Sequence, residues 1–173
     1  MTLDEARTLV DYHCWARDRL LDAIASLTPA QYTQRIESSF PSIRETLVHL
    51  WAAETTWVAR WDGEAPTALA DGRDLTDFPA LRDAWLALER RLHGTLARLG
   101  DSGVGSPLEY RGFDGKPRRE PFAMMLQHVV NHGAYHRGQI TMMLRQMGLP
   151  PAKQMDLIAF YRESAARYTS KSS

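Results

Sequence analysis

Cysteine is almost absent: Cys14 is the one thiol in 173 residues. No intrachain disulfide can form, and zinc modules built on several cysteines are excluded. An excess of charge of either sign is also missing, because 21 basic residues face 21 acidic ones. Nothing in that balance favours nucleic acid or an anionic membrane surface as a partner. No apolar run approaches the ~20 residues that a spanning helix needs. The N-terminal MTLDEARTLV is acidic and amphipathic, unlike a secretory signal, so a cytoplasmic location is expected. Internal repeats and linker-like stretches are lacking as well.

What remains is a chain that is 44% hydrophobic, the composition of a folded protein with a real core. The expectation is one domain over residues 1–168 with a polar tail at 169–173. Thr2 and Glu5 have the spacing of a capping box, so a first helix should start there. Its apolar stripe runs Leu3, Ala6, Val10, Leu20, Leu21 and Ile24, with His13 and Arg17 inside it. Thr28-Pro29 suggests a short helical turn. Ser42 and Glu45 form a second capping-box pair ahead of a helix with two seams, one of which carries His49, Ala53 and Trp57. A third helix is expected over about Pro79–Leu99, ended by Gly100. Leu108–Arg111 and Pro117–Glu120 flank Asp114-Gly115, a pattern that suits a small hairpin. Pro121 and Gly148 bracket a fourth long helix, and a final helix should cover Asp156–Tyr168. Four long amphipathic helices with short extra helices make an all-α four-helix bundle.

The chemistry concentrates in QHVVNHGAYHRGQ, Gln127 to Gln139. His128, His132 and His136 are spaced four apart, one helical turn each. All three cannot share one ion, because His128 and His136 would lie roughly 12 Å apart along the axis against metal–nitrogen bonds of about 2.0–2.1 Å. The phase of the apolar stripe separates them. At about 100° per residue, His136 lies roughly 20° from its centre, His132 about 60° and His128 about 100°. His132 and His136 therefore point inward, and His128 sits at the edge. Two imidazoles buried together need partners, and a metal ion is one such partner. The alternative is a polar pair bonded to Glu54 or to water.

A site needs a further ligand. His13 and His49 are the candidates, with Glu54 as a carboxylate alternative. Periodicity slightly prefers His13, since His49 lies about 120° from the main stripe of its own helix. His93 stands among Arg90, Arg91 and Leu92 and reads as solvated. Cys14, flanked by core positions, reads as buried rather than nucleophilic. Glu54 could act as a general base or simply pair with Arg17 or Arg137. Gly133 and Gly138 in the fourth helix suggest close helix packing. The tryptophans suit core packing, and Trp57 could also line a pocket.

Four stretches carry a resemblance that spans nearly the whole chain: YHCWARDRLLDAI (Tyr12–Ile24), SFPSIRETLVHLWAAETTWVARWDG (Ser39–Gly63), HVVNHGAYHRGQITMMLRQMG (His128–Gly148) and LPPAKQMDLIAFYRE with its Asp156. Together they resemble the DinB-like family of helical bundles regarded as metalloenzymes, unrelated to the DNA polymerase that shares the name. The resemblance implies an up-down-down-up bundle with a long crossover and a divalent metal, zinc or nickel, between helices. It implies the ligand set His49, His132 and His136, against the periodicity preference for His13. Many relatives carry asparagine where His13 stands, so His13 is a departure that could line the pocket or add a ligand. Homodimers are implied too. Three histidines would leave coordination positions open. Two kinds of enzyme follow, acting on a small-molecule substrate: an S-transferase or isomerase using a low-molecular-weight thiol, or a hydrolase. A non-catalytic metal-binding stress protein is the binding-class alternative.

Overall fold

The protein is described by a computed structural model covering residues 1–170, with side chains described through residue 166. Its elements are α1 (Leu3–Ile24), α2 (Pro29–Thr33), α3 (Ile43–Trp61), α4 (Phe78–Val104), β1 (Pro107–Arg111), β2 (Pro117–Pro121), α5 (Phe122–Gln146) and α6 (Leu157–Ser170). The bundle consists of α1, α3, α4 and α5. Both α1 and α3 pack on α4 and on α5, so these two helices, consecutive among the long ones, oppose each other across a diagonal. Residues 62–77 run back along α3, with the Ala70 N–H on Thr56 Oγ1 and Arg44 donating to the Leu75 carbonyl, and form the crossover between the parallel helices α3 and α4 that this up-down-down-up order requires. Trp85, Phe122, Ile43, Leu47 and Leu144 are sealed in the centre.

Local chemistry explains most element ends. The Thr2 hydroxyl accepts the Glu5 N–H and the Glu5 carboxylate accepts the Thr2 N–H, a complete capping box. Thr28 and Gln31 form another. Ser42 and Glu45 make only half of one. The Glu45 N–H donates to Ser42 Oγ at 3.1 Å, but the Glu45 carboxylate takes the Ser42 hydroxyl at 2.8 Å rather than the backbone N–H. Asp77 caps α4 by accepting the Ala80 N–H, so the third long helix starts just ahead of the expected Pro79. Gly100 does interrupt α4, at φ 59 and ψ −169, a left-handed φ that a side chain resists. One further turn, through Val104, follows where irregular chain was expected. At the end of α5, Gly148 has φ 70, and the N–H groups of Gly148 and Leu149 return to Arg145 and Leu144. This is a Schellman closure.

The small hairpin forms with Leu108 opposite Glu120 and Arg111 opposite Pro117, one pair longer than expected. It lies against α3, α4 and α5. Thr169 and Ser170 belong to α6 rather than to the tail; residues 171–173 of the expected tail lie outside the described residues. Among the described residues no helix is long and apolar enough to cross a membrane.

Candidate metal centre

Helix α5 presents His132 and His136 one turn apart, and α3 brings His49 to meet them from the adjacent corner of the bundle. His132 Nε2 stands 3.2 Å from His49 Nε2 and 3.2 Å from His136 Nε2. Two ligand nitrogens on a tetrahedral ion with bonds of about 2.0–2.1 Å stand roughly 3.3 Å apart, so the spacing fits a single ion. Among the described residues these three form a group whose ligand atoms all lie within 4.8 Å of one another. The inward order read from the stripe matches the observed exposure: His136 is buried, His132 half-buried and His128 exposed.

Neighbouring groups orient the rings. Gln139 Oε1 lies 2.7 Å from His136 Nδ1. An amide oxygen only accepts, so His136 carries its proton on Nδ1 and turns a bare Nε2 lone pair toward the other two imidazoles. Phe40 stacks on His49 with ring centroids 4.2 Å apart. All three imidazoles are held below their ordinary range. Burial is the main cause for each, and neighbouring imidazoles add to it for His49 and His132. His132 falls to about 4. At neutral pH all three are therefore uncharged and able to donate a lone pair.

These shifts set an acid sensitivity. In an unfolded chain the histidines take up protons from about pH 6.5 downward, while the folded site resists until lower pH, so acid favours unfolding. Metal-free protein should lose stability as pH falls from about 6.5 toward about 4, with no such contribution above that window. Melting curves at pH 7.5, 5.5 and 4.5 (values spanning roughly that window) test this against His132→Ala, whose loss should be smaller. Parallel pH profiles for the two proteins would contradict it.

Behind the histidines, His13 and Glu54 meet across the bundle diagonal. His13 Nε2 lies 2.8 Å from Glu54 Oε1, and the Trp85 indole N–H donates to Glu54 Oε2 at 3.2 Å. Arg137 Nη1 lies 3.4 Å from His13 Nδ1. A guanidinium only donates, so His13 accepts from Arg137 and donates from Nε2 to Glu54. It stands outside the group of three, with both ring nitrogens engaged. Glu54 is buried and ionised. Burial opposes its charge, but His13, Arg17 and the Trp85 N–H outweigh burial and hold it below the usual carboxylate range. Its direct partners are thus His13 and Trp85 rather than Arg17 or Arg137. Gly133 explains how His13 fits, since a Cβ there would stand 2.5 Å from His13 Cε1. Gly138 differs: a Cβ there would meet nothing within 4 Å, so close packing does not account for it.

A second group, Cys14, Glu89 and His93, also draws its ligand atoms together. Arg17 already occupies it, pairing with Glu89 and reaching Cys14 Sγ at 3.9 Å. Burial pushes the Cys14 thiol up to about 12, so the expectation of an inert cysteine fits its surroundings. His93 is partly covered, 4.0 Å from Glu89, rather than fully solvated. Sequence reasoning overlooked Gln139, although its position three residues after His136 places it on the same helix face. It also overlooked Phe40, which no local pattern marks.

The comparisons agree with this architecture. The chain is 30% identical over 156 residues to Protein DinB of Bacillus subtilis (strain 168), covering 86% of this chain and 90% of that relative. Its fold matches the crystal structure of a DinB-like protein from Bacillus cereus ATCC 10987 with a TM-score of 0.66 at 18% identity, over 84% of this chain and 95% of the other. The DinB family model matches residues 1–167, nearly the whole bundle together with its hairpin and last helix, and the chain belongs to the DinB family.

Proposed function

We propose that this chain is a metal-dependent enzyme whose His49, His132 and His136 hold a divalent transition ion, zinc or nickel, and that it works on a small-molecule substrate with a low-molecular-weight thiol, by S-transfer or isomerisation. The observation that carries the reading is the convergence of three uncharged imidazoles, two Nε2 pairs 3.2 Å apart, with Gln139 fixing the tautomer of one. An ion so held supplies Lewis acidity, which promotes ionisation of a coordinated water or, more strongly, of a thiol. His49 and His132 are half-buried, leaving an open side for substrate. His128 is exposed and stacks beside His132 at 5.9 Å, on the solvent side of the group.

The thiol reading is favoured over hydrolysis by the state of Glu54. Both of its oxygens are committed to His13 and Trp85, so it serves as a positioning residue rather than as a base for water. A thiol on a dication ionises without a fixed base. The homodimer expected from the resemblance belongs to the same proposal: Met124, Tyr135 and Met142, all exposed along one face of α5, offer an apolar stripe to a second copy.

Metal analysis of untagged protein, beside His132→Ala, tests the site. Turnover is then sought with bacillithiol, mycothiol, glutathione and coenzyme A against electrophilic acceptors, and with ester and amide substrates in parallel. Thiol-dependent turnover is expected. Wild type without bound metal would sink the whole reading, hydrolysis alone would replace the thiol part, and metal without turnover would leave a binding protein.

A further inference from the structure

Eleven residues after His49, on the same face of α3, stands Arg60. Helix geometry separates the two by about 16 Å along the axis and roughly 20° around it. Arg60 is only 8% exposed, and among the described residues no carboxylate forms an ion pair with it. Its Nε is sealed from solvent without a hydrogen-bond partner. What surrounds it is aromatic: Cζ lies 4.9 Å from the Trp57 ring, 5.3 Å from Tyr110 and 4.5 Å from Phe113. Ring faces attract a cation but leave its N–H fork without in-plane acceptors. Arg17, Arg19 and Arg91 are each matched with an acid, Glu89, Glu163 and Asp62, and buried Arg137 reaches Glu54 through His13. Glu120 acts on Arg60 through space, but its carboxylate accepts the Tyr110 hydroxyl at 2.7 Å.

Between Arg60 and the histidines the surface is continuous. Trp57 touches His128 with ring centroids 5.5 Å apart, and His128 stacks on His132. The small side chain of Ala53 stands midway along the α3 seam, and the hairpin closes the Arg60 end. We propose that Arg60 binds a carboxylate at the far end of a small-molecule ligand whose reacting end lies at His49, His132 and His136, with the ligand's body along Trp57 and His128. A planar fork matches a carboxylate with two parallel bonds. Arg118 and Glu120 both act on Arg60 through space, so the net local charge is that of one cation, which suits a monoanion better than a phosphate dianion. The position of the reacting end rests on the metal reading above; the anchor itself rests on Arg60 alone.

The test titrates cobalt-loaded protein with ω-mercaptoalkanoates of increasing length and with mercaptoalcohols of the same lengths, reading the sulfur-to-cobalt charge-transfer band. Wild type should prefer the carboxylate by about tenfold or more once the chain spans a distance approaching ~16 Å, and not at the shortest lengths. Arg60→Met should make carboxylate and alcohol bind equally, with the alcohol's affinity unchanged. Arg60→Lys, which keeps the charge and loses the fork, should retain part of the preference. A preference that survives in Arg60→Met, or none in wild type at any length, overturns the proposal. If cobalt does not bind, or no charge-transfer band appears, the metal or thiol reading has failed instead. The same pairs are then titrated by calorimetry into metal-free protein. A carboxylate preference there that Arg60→Met abolishes supports the anchor, and its absence in wild type overturns it.

Discussion

His132→Ala is expected to weaken zinc or nickel binding by more than about 100-fold, because loss of a mere outer partner of a metal site already costs roughly 10–100-fold. His132 is the residue to remove because both other imidazoles face its Nε2, each at 3.2 Å. Without it the remaining two nitrogens hold an ion from two helices with no bridging member. The informative control is His128→Ala. It deletes an imidazole stacked on His132, but one that is exposed and outside the group of convergent ligand atoms. Its affinity should stay within about tenfold of wild type, below the loss of a directly bonded ligand. Competition with a chromophoric chelator reads both variants. Equal losses at positions 128 and 132 would show that the α5 pair had been chosen wrongly.

The largest expected effect on stability comes from Glu54→Ala. Glu54 and Arg137 are both buried, and His13 links them by accepting from Arg137 and donating to Glu54. Removing the carboxylate leaves the guanidinium inside without its compensating charge, which costs about 3–5 kcal/mol for buried pairs. For a chain of this size that corresponds to a midpoint lowered by roughly 6–20 °C. Glu54→Gln should cost less, since its amide oxygen can still accept from His13, but its NH₂ then faces the Trp85 N–H donor. Because Glu54 stands apart from the three histidines, metal affinity should change little in the glutamine variant. Denaturant unfolding and chelator competition on the same preparations separate the two roles. A loss under about 1 kcal/mol for Glu54→Ala, within the ordinary range for point substitutions, would refute the buried-charge argument. A large loss of metal in Glu54→Gln would instead draw Glu54 into the site.

Local rules read much of the bundle because each acts over a single turn. The Thr2–Glu5 and Thr28–Gln31 boxes, the glycine kink at 100, the glycine stop at 148 and the proline entry to α5 each depend on residues a few positions apart. The inward phase of His136, then His132, then His128 is likewise a property of one helix. The same rules misjudged Ser42–Glu45, where the carboxylate took a hydroxyl rather than a backbone N–H. They also expected close packing at Gly138, where a Cβ would meet nothing within 4 Å.

Sequence by itself thus determined the helices, most of their ends and two of the three clustered histidines, since spacing along a helix fixes direction. Only the tertiary structure decided which directions meet. His49 and His132 are 83 positions apart, and the phase of α3 taken alone turned attention to His13. The bundle sends His13 to Glu54, 41 positions away, because α1 and α3 oppose each other across the diagonal, while α3 and α5 are neighbours and bring His49 to the pair. Arg60 makes the same point from the opposite side. Its charge is legible in the sequence, but that no carboxylate among the described residues pairs with it appears only when the hairpin brings Tyr110 and Phe113 over it beside Trp57 of its own helix.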